Sequence, residues 1–165
     1  MIQIRQTTIN DHEIIVALDQ EVFGWYGAEE DPEIIHARLE VFAEGCAILE
    51  AQDESGNHAV VGYLTTEKWA SQREPVLDEN PYETHEPAGS VLNITTLAIA
   101  PSKQNRGLGK VLLDHAIEIA QREGCTHIIL ETARAQRFYL RHGFTVVSER
   151  QQRGIVLTVM LFEVI

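Results

Sequence analysis

The sequence predicts one mixed α/β domain over residues 1–165, with about seven strands and about four helices. Its length is that of a single ordinary domain. Its composition, 44% hydrophobic and 23% charged, is sufficient for one packed core. Stretches with strand and helix periodicity follow one another in the order β-α-α-β-β-β-α-β-α-β-β, without a repeat or a linker between them.

The N-terminal segment predicts a strand followed by a helix. Residues 2–8 alternate apolar and polar side chains, which is typical of a strand. Asn10-Asp11 provides an N-cap for the first helix, and Glu13 lies where a capping residue reaches back. Apolar side chains recur at helical spacing at Ile14, Leu18, Val22 and Trp25.

The next segment predicts a second helix and a hairpin. Pro32 suits the first turn of a helix, which we expect to end at Gly45. Residues 46–51 and 59–66 are β-rich runs joined by the turn-forming residues 53–57, and they predict an antiparallel hairpin.

Residues 68–90 form a polar insertion between the third and fourth strands, with three prolines and no periodicity. A segment of this length within a compact domain is either a functional lid or binding loop, or a tolerated surface insertion. Both interpretations remain open at this point.

The second half of the chain predicts four strands and two helices. These elements are a strand over 91–100, a helix from Leu108 closed by Gly124, a buried strand over 127–131, a short helix over 135–142, and a hairpin over 145–148 and 155–164.

Charge and composition exclude several classes of function. The net charge of −12 disfavours binding to nucleic acid or to an anionic membrane surface. The longest apolar stretch, residues 155–165, is too short to span a bilayer, and the first residues lack a signal-peptide pattern, so we expect a cytoplasmic protein. Cys46 and Cys125 predict reduced core thiols, and no histidine or cysteine spacing predicts a metal site.

Between Leu97 and Lys110 the sequence predicts a strand, then a polar turn, then the start of a helix with two glycines around it. Backbone N–H groups at a helix start lack internal partners, and Gly107 and Gly109 allow a ligand to approach them closely. Residues 87–113 contain no acidic side chain but include basic ones. This charge pattern favours a phosphate site over the alternative, a helix start that contains glycines but binds no ligand. The spacing fits neither a P-loop nor a GxGxxG dinucleotide fingerprint.

Two motifs make the chain resemble the GNAT superfamily of N-acetyltransferases. Gln104-Asn105-Arg106-Gly107-Leu108-Gly109 matches the superfamily's Q/R-x-x-G-x-G/A signature. Ala135-Gln136-Arg137-Phe138-Tyr139-Leu140-Arg141-His142-Gly143-Phe144 is similar to its A-x-x-F-Y-x-x-x-G-F signature. The resemblance covers essentially the whole chain, and it implies a central, mixed but mostly antiparallel sheet with flanking helices.

The resemblance implies acetyl-CoA as co-substrate and assigns roles to individual residues. The backbone of Leu97, Ala98 and Ile99 would hold the pantetheine arm, and the Ile99 N–H would polarise the thioester carbonyl. The pyrophosphate would be bound by Gln104, Asn105, Arg106, Gly107, Leu108, Gly109 and Lys110. Tyr139 would be the general acid that protonates the CoA thiolate, with Phe138 packed behind it, although a plain core or cofactor-contact role for Tyr139 also stays open.

The chain also resembles the arylalkylamine N-acetyltransferase branch in its long insertion and its Leu-Ala-Ile strand. Where that branch carries two histidines, this sequence has Asn93 and Thr95, which can orient water but cannot act as bases. His85, Glu83 and Glu86 on the insertion are the remaining local candidates for the base. The acceptor pocket has further candidates, each equally consistent with simple packing: Trp25, Tyr26, Trp69 and Tyr82.

These features together predict direct transfer of an acetyl group from acetyl-CoA to the primary amine of a small, cationic acceptor. Neither cysteine lies in a motif with a base, which argues against a covalent acyl-enzyme. One alternative is a protein or peptide amine as acceptor, and another is a catalytically silent CoA-binding sensor. The closing hairpin is a candidate surface for a homodimer.

Overall fold

Seven strands, whose side chains alternate between the two faces, form one sheet in the order β1-β2-β3-β4-β5-β7-β6. The computed structural model describes all 165 residues. The strands are β1 Ile2–Gln6, β2 Ala47–Gln52, β3 His58–Trp69, β4 Val91–Ile99, β5 His127–Thr132, β6 Thr145–Gln152 and β7 Ile155–Glu163. All neighbours are antiparallel except β4 and β5, so the prediction of a mixed, mostly antiparallel sheet is confirmed.

Five α-helices flank this sheet, and none has the length and apolarity needed to cross a membrane. They are α1 His12–Phe23, α2 Pro32–Val41, α3 Pro81–Thr84, α4 Leu108–Arg122 and α5 Gln136–Arg141. The start of α2 follows the prediction, with Pro32 in its first turn and the Asp31 carboxylate accepting from the Glu33 N–H at 2.8 Å. The four-residue helix α3 was not predicted.

The start of α1 differs from the prediction in both its cap and its buried face. The Asp11 carboxylate does not cap α1; it accepts from the Thr8 N–H and from the Arg5 guanidinium. A 3₁₀ turn over Ile9–Asp11 precedes the helix and sets its rotation. Ile14 is therefore 41% exposed, and Ile15 is the residue that the core buries.

The core lies on both faces of the sheet. In β2, Ala47 and Leu49 face the larger apolar cluster, which is covered by α4, whereas Ile48 between them faces the cluster under α1 and α2. Helix α4 contributes five buried side chains to the larger cluster: Leu112, Leu113, Ala116, Ile119 and Ala120. Cys46 and Cys125 are buried and unpaired.

The insertion between β3 and β4, predicted to begin at residue 68, begins at Ala70. Strand β3 continues through Lys68 and Trp69. Trp69 ends the strand in a buried cluster with Val91, Ile129 and Val159. The rest of the insertion is anchored to the sheet. The Glu86 N–H donates to the Lys68 carbonyl at 2.7 Å.

A buried carboxylate joins the insertion, α2 and β3. Glu67, 3% exposed, accepts from the Trp69 indole N–H at 2.7 Å and from the Thr84 hydroxyl at 2.9 Å. It also accepts from the guanidinium of Arg38 at 3.4 Å, and Arg38 is paired in addition with Glu30 at 2.9 Å. The Arg38 guanidinium is thus buried and paired with two carboxylates.

Replacing Glu67 tests this junction. Glu67→Ala leaves the buried Arg38 guanidinium with Glu30 alone and the Trp69 indole N–H without an acceptor, so we expect a loss of roughly 3–5 kcal/mol in the free energy of unfolding. Glu67→Gln keeps an acceptor oxygen and should lose less. Urea denaturation followed by circular dichroism measures both variants, and an equal loss in the two would contradict the role of Glu67 as a hydrogen-bond acceptor at this junction.

Candidate functional site

The two central strands separate and open a cleft in the sheet. Parallel pairing of β4 with β5 extends over only three residue pairs and ends at Asn93 and Ile129. Thr95 is an extra residue in β4, because Thr65 pairs with Thr96 and Thr66 with Ile94. Such a bulge bends its strand and strengthens its twist. Residues 94–99 therefore form one wall of a cleft of about 1140 Å³, and residues 130–132 of β5 form part of the other.

Backbone donors of β4 point into this cleft. The Ala100 N–H donates to the Val61 carbonyl on β3 at 2.8 Å. Because N–H groups alternate in direction along a strand, those of Leu97 and Ile99 point away from β3, toward the cleft. No strand lies there to accept them.

The glycine turn, residues 104–110, provides a second set of free donors. None of the six backbone N–H groups from Asn105 to Lys110 has an acceptor within the protein. Gly107 precedes the fifteen-residue helix α4 with a φ of 80°, a conformation that favours glycine. The Gln104 amide holds the turn against β4 by donating to the Ile99 carbonyl at 3.0 Å. Six free N–H groups at a helix start are suited to bind an anion.

Helix α5 borders both the glycine turn and the cleft. A side chain at position 109 would meet Phe138, since a Cβ there would lie 3.3 Å from the Phe138 ring. Tyr139 lines the cleft, packs edge-on against Phe144, and its hydroxyl has no hydrogen-bond partner in the protein. Burial raises the pKa of Tyr139 above its ordinary value, so the phenol holds its proton at neutral pH.

At the other end of the cleft Arg153 ties three segments together, and we call this the covered end. The Arg153 guanidinium donates to the Glu29 carbonyl at 2.8 Å and pairs with Asp78 at the tip of the insertion. Side chains of these segments line the covered end: Trp25, Tyr26, Glu29, Glu30, Leu77, Asp78 and Arg153. The insertion thus forms part of the wall.

A buried carboxylate, Asp19 of α1, lines the same cleft. Its oxygens accept from the Tyr63 hydroxyl at 2.9 Å and from the Glu30 N–H at 2.8 Å. Burial raises the pKa of Asp19 to about 6, against the lowering effect of these two hydrogen bonds. Asp19 is therefore mostly ionised at neutral pH and able to take up a proton.

Most of the residues singled out from the sequence lie together in this cleft. They are Trp25, Tyr26, Thr95, Leu97, Ala98, Ile99, Gln104, Asn105, Gly107, Leu108, Gly109, Lys110, Phe138 and Tyr139. Arg106 belongs to the glycine turn but not to the cleft lining.

His85 and Asn93 lie outside the cleft lining. The His85 ring stacks on Phe42 at 4.8 Å between centroids, and its Nδ1 accepts from the Lys68 N–H. Asn93 is 5% exposed at the last β4–β5 pair, and its side-chain oxygen has no hydrogen-bond partner. Neither side chain therefore reaches the ligand space.

Sequence reasoning missed several charged residues of the cleft, among them Asp19, Glu29, Arg134 and Arg153. Asp19 had a local signal, because it lies among Ile15, Leu18 and Val22 on the apolar stripe of α1. Arg153 had none, since its partner carbonyl at Glu29 is 124 residues away in the chain.

Comparison with known proteins agrees with this architecture. A model of the family described as "Acetyltransferase (GNAT) family" matches residues 6–144. Mycothiol acetyltransferase of Beutenbergia cavernae is 36% identical over 73 residues, which is 42% of this chain. The match covers 25% of that relative, so the chain corresponds to only a part of its length.

Solved structures share the fold along the whole chain. The loading GNATL domain of CurA from Lyngbya majuscula superposes with a TM-score of 0.85 at 19% identity, covering 99% of this chain and 98% of that one. GphF, a GNAT-like decarboxylase in complex with isobutyryl-CoA, has a TM-score of 0.77 at 17% identity, with 98% and 99% covered. Other solved neighbours hold CoA or acetyl-CoA.

The glycine turn can be tested with a charged side chain. Asp and Asn both tolerate positive φ, and no atom lies within 4 Å of a Cβ at Gly107. Gly107→Asp sets a negative charge against the anion site, so we expect the Kd of CoA to rise at least tenfold, with a smaller rise for the neutral Gly107→Asn.

Isothermal titration calorimetry measures both Kd values. Gly124→Asp, at the other end of α4 with a similar φ of 73°, is the control and should leave the Kd unchanged. Equal Kd values for Gly107→Asp and Gly107→Asn would show that no anion binds at this turn.

Proposed function

Because the chain belongs to the acetyltransferase (GNAT) family, we propose that it transfers an acetyl group from acetyl-CoA directly to the primary amine of a small cationic acceptor. Acyl-CoA-dependent N-acetyltransfer is the general activity of this family, and acetyl-CoA is its acyl donor. The acceptor class and the role of each residue are the proposal.

The glycine turn fits the phosphates of acetyl-CoA. Its six unpaired N–H groups match an anion that needs many donors, and Lys103 and Arg106 beside it have no acidic partner. When bound, acetyl-CoA supplies a thioester, whose carbonyl is open to attack by an amine. The residues of the chain must then orient that carbonyl, stabilise its developing charge and move two protons.

The Ile99 N–H is the proposed donor to the thioester carbonyl oxygen. It points into the cleft without an acceptor, and the β4–β5 separation excludes a competing strand. One such donor typically stabilises a transition state by roughly 2.7–4 kcal/mol. The Leu97 N–H on the same side of β4 is available to hold the pantetheine arm.

Tyr139 is the proposed general acid. Its hydroxyl stays protonated at neutral pH and has no partner within the protein that would compete for its proton. Protonating the departing thiolate is a step that a positioned side chain accelerates by typically 10²–10⁴-fold.

Asp19 is the proposed acceptor for the ammonium proton, directly or through a water molecule. An alkylamine has a pKa of roughly 10 and must lose a proton before it attacks the carbonyl. Asp19 lines the cleft as a carboxylate, whereas His85 lies outside the cleft lining, as do Glu83 and Glu86. A general base is thus available although β4 carries no acid.

The bridge made by Arg153 is the observation that favours a small acceptor. A protein or peptide substrate needs an open groove, but here the turn after α1, the insertion tip and the β6–β7 turn meet over one end of the cleft. Asp19 and Glu29 in this covered end have no basic partner, which favours a cation.

A homodimer through the closing hairpin stays a proposal. Strand β6 is an edge of the sheet, and Val146, Val147 and Val156 of the hairpin are each about half exposed. Analytical ultracentrifugation tests it.

Release of free thiol from acetyl-CoA tests the proposed function. We expect turnover with at least one class in a panel of small amines and none with basic peptides, and Tyr139→Phe should lower kcat by about 100-fold with the Kd of acetyl-CoA unchanged. CoA binding without turnover on any amine would favour the silent sensor. Unchanged kcat in Tyr139→Phe would remove Tyr139 from the acid role.

The pH profile tests Asp19. Since the base must be deprotonated, kcat/KM should rise as the pH increases through about 6, and Asp19→Asn should lose this limb together with about 100-fold of kcat. Tyr63→Phe removes a hydrogen bond that lowers the pKa of Asp19, so it should move the limb to higher pH. A limb that is unchanged in Asp19→Asn would contradict the assignment.

The pH dependence of folding stability tests the ionisation of Asp19 independently of catalysis. The pKa of Asp19 is higher in the folded chain than its ordinary value of 3.8, so ionisation costs folding free energy. Relative to Asp19→Asn, the wild type should lose stability as the pH rises from about 4 to about 6.

A further inference from the structure

Five of the thirteen lysine and arginine side chains have no acidic partner, in a chain with a net charge of −12. The other eight form ion pairs. The five are Lys103, Arg106, Arg134, Arg137 and Arg141, of which all but Arg106 line the cleft. Because acids outnumber bases almost twofold, unpaired cations confined to one site indicate an anionic ligand there.

Arg134 has different surroundings from the other four. Lys103 and Arg106 lie at the glycine turn, and the contact of Phe138 with position 109 brings α5, with its two arginines, beside the same turn. Arg134 instead lies between β5 and α5 and reaches across to the turn after α1. Its guanidinium carbon lies 4.4 Å from the centroid of the Trp25 ring and 5.2 Å from that of Tyr26.

Both aromatic rings lie within cation–π distance of the guanidinium. A cation–π contact attracts a guanidinium without using its N–H groups as hydrogen-bond donors. Arg134 donates no hydrogen bond within the protein, so these donors are free in the cleft. A planar fork of N–H donors is the geometry that binds a carboxylate through two parallel hydrogen bonds.

We propose that Arg134, held by Trp25 and Tyr26, binds a carboxylate of the acceptor, so that the acceptor is an amino acid or a similar small molecule with both an amine and a carboxylate. This inference rests on the proposed function and narrows its acceptor class.

The charges of the covered end match both groups of such a molecule. Asp19 lines this region as a carboxylate, and a side-chain oxygen of Glu29 is buried there without a hydrogen-bond partner. These acids suit the ammonium group, and Arg134 suits the carboxylate. A polyamine would bring a second positive charge toward Arg134, where like charges repel.

Matched pairs of amines test the proposal, each an amino acid and the amine left after removal of its carboxylate. Suitable pairs are lysine and cadaverine, ornithine and putrescine, and phenylalanine and phenethylamine. We expect the wild type to prefer the amino acid of at least one pair by about tenfold to a hundredfold in kcat/KM, as is typical for a charge-assisted hydrogen bond. Arg134→Gln should abolish this preference, mainly through KM.

Two controls separate Arg134 from cofactor binding and from folding. The Kd of CoA, measured by calorimetry, should change less than twofold in Arg134→Gln, and Arg137→Gln should keep the preference. Trp25→Ala should reduce the preference, and Trp25→Phe, which keeps an aromatic face, should restore it.

Three results would overturn the proposal: a wild type without preference in any pair, a preference that survives in Arg134→Gln, or an Arg134→Gln variant that loses CoA binding. If no amine of any kind is acetylated, the proposed function fails instead. Calorimetric binding of the same pairs to the CoA-loaded protein then decides the role of Arg134 separately, with amino-acid binding lost in Arg134→Gln as the expected result and equal binding of both pair members as the contrary one.

Discussion

When a parallel strand pair separates after three residue pairs, backbone hydrogen-bonding groups are left unpaired on the facing edges of the two strands. Within a sheet such groups ordinarily bind a neighbouring strand, and leaving them without a partner costs free energy. Here the bulge at Thr95 bends β4 away from β5, and the sheet on either side continues through β3 and β7. The Leu97 and Ile99 N–H groups therefore face a space that only a ligand or water can fill.

The charges around this space are divided between its two ends. The six free N–H groups belong to the glycine turn, and four of the five unpaired cations lie beside it, whereas Asp19, Glu29 and the fifth unpaired cation, Arg134, lie at the covered end. Tyr139 on α5 lines the same cleft, and it keeps its proton because burial raises the pKa of its hydroxyl. One end is thus suited to a polyanion and the other to an ammonium group, which is what acetyl transfer to an amine requires. Cys46, whose pKa burial raises to about 12, lies outside the cleft lining, in keeping with direct transfer.

Local patterns were sufficient to predict the strands, the helices that carry the core, and the glycine turn, whereas the arrangement of the sheet came from the resemblance to the GNAT superfamily. Residues 97–110 contain their own signal, since a strand, two glycines and a helix start follow one another in sequence. Residues brought together over long distances left no such signal. Arg153 meets a carbonyl 124 positions earlier, and Arg134 meets Trp25 from a different element. The prediction of the buried face of α1 was also wrong. A 3₁₀ turn precedes this helix, and the core buries Ile15 rather than Ile14.

Amide hydrogen exchange by NMR, with and without CoA, tests most directly whether the β4–β5 separation is the cofactor site. Protection on binding should appear at Leu97 and Ile99 and at the six amides from Asn105 to Lys110, and it should be absent at Ala98 and Ala100, whose N–H groups point to β3. Protection at these amides establishes the cleft as the CoA site. CoA binding that leaves all eight amides unprotected would contradict the account.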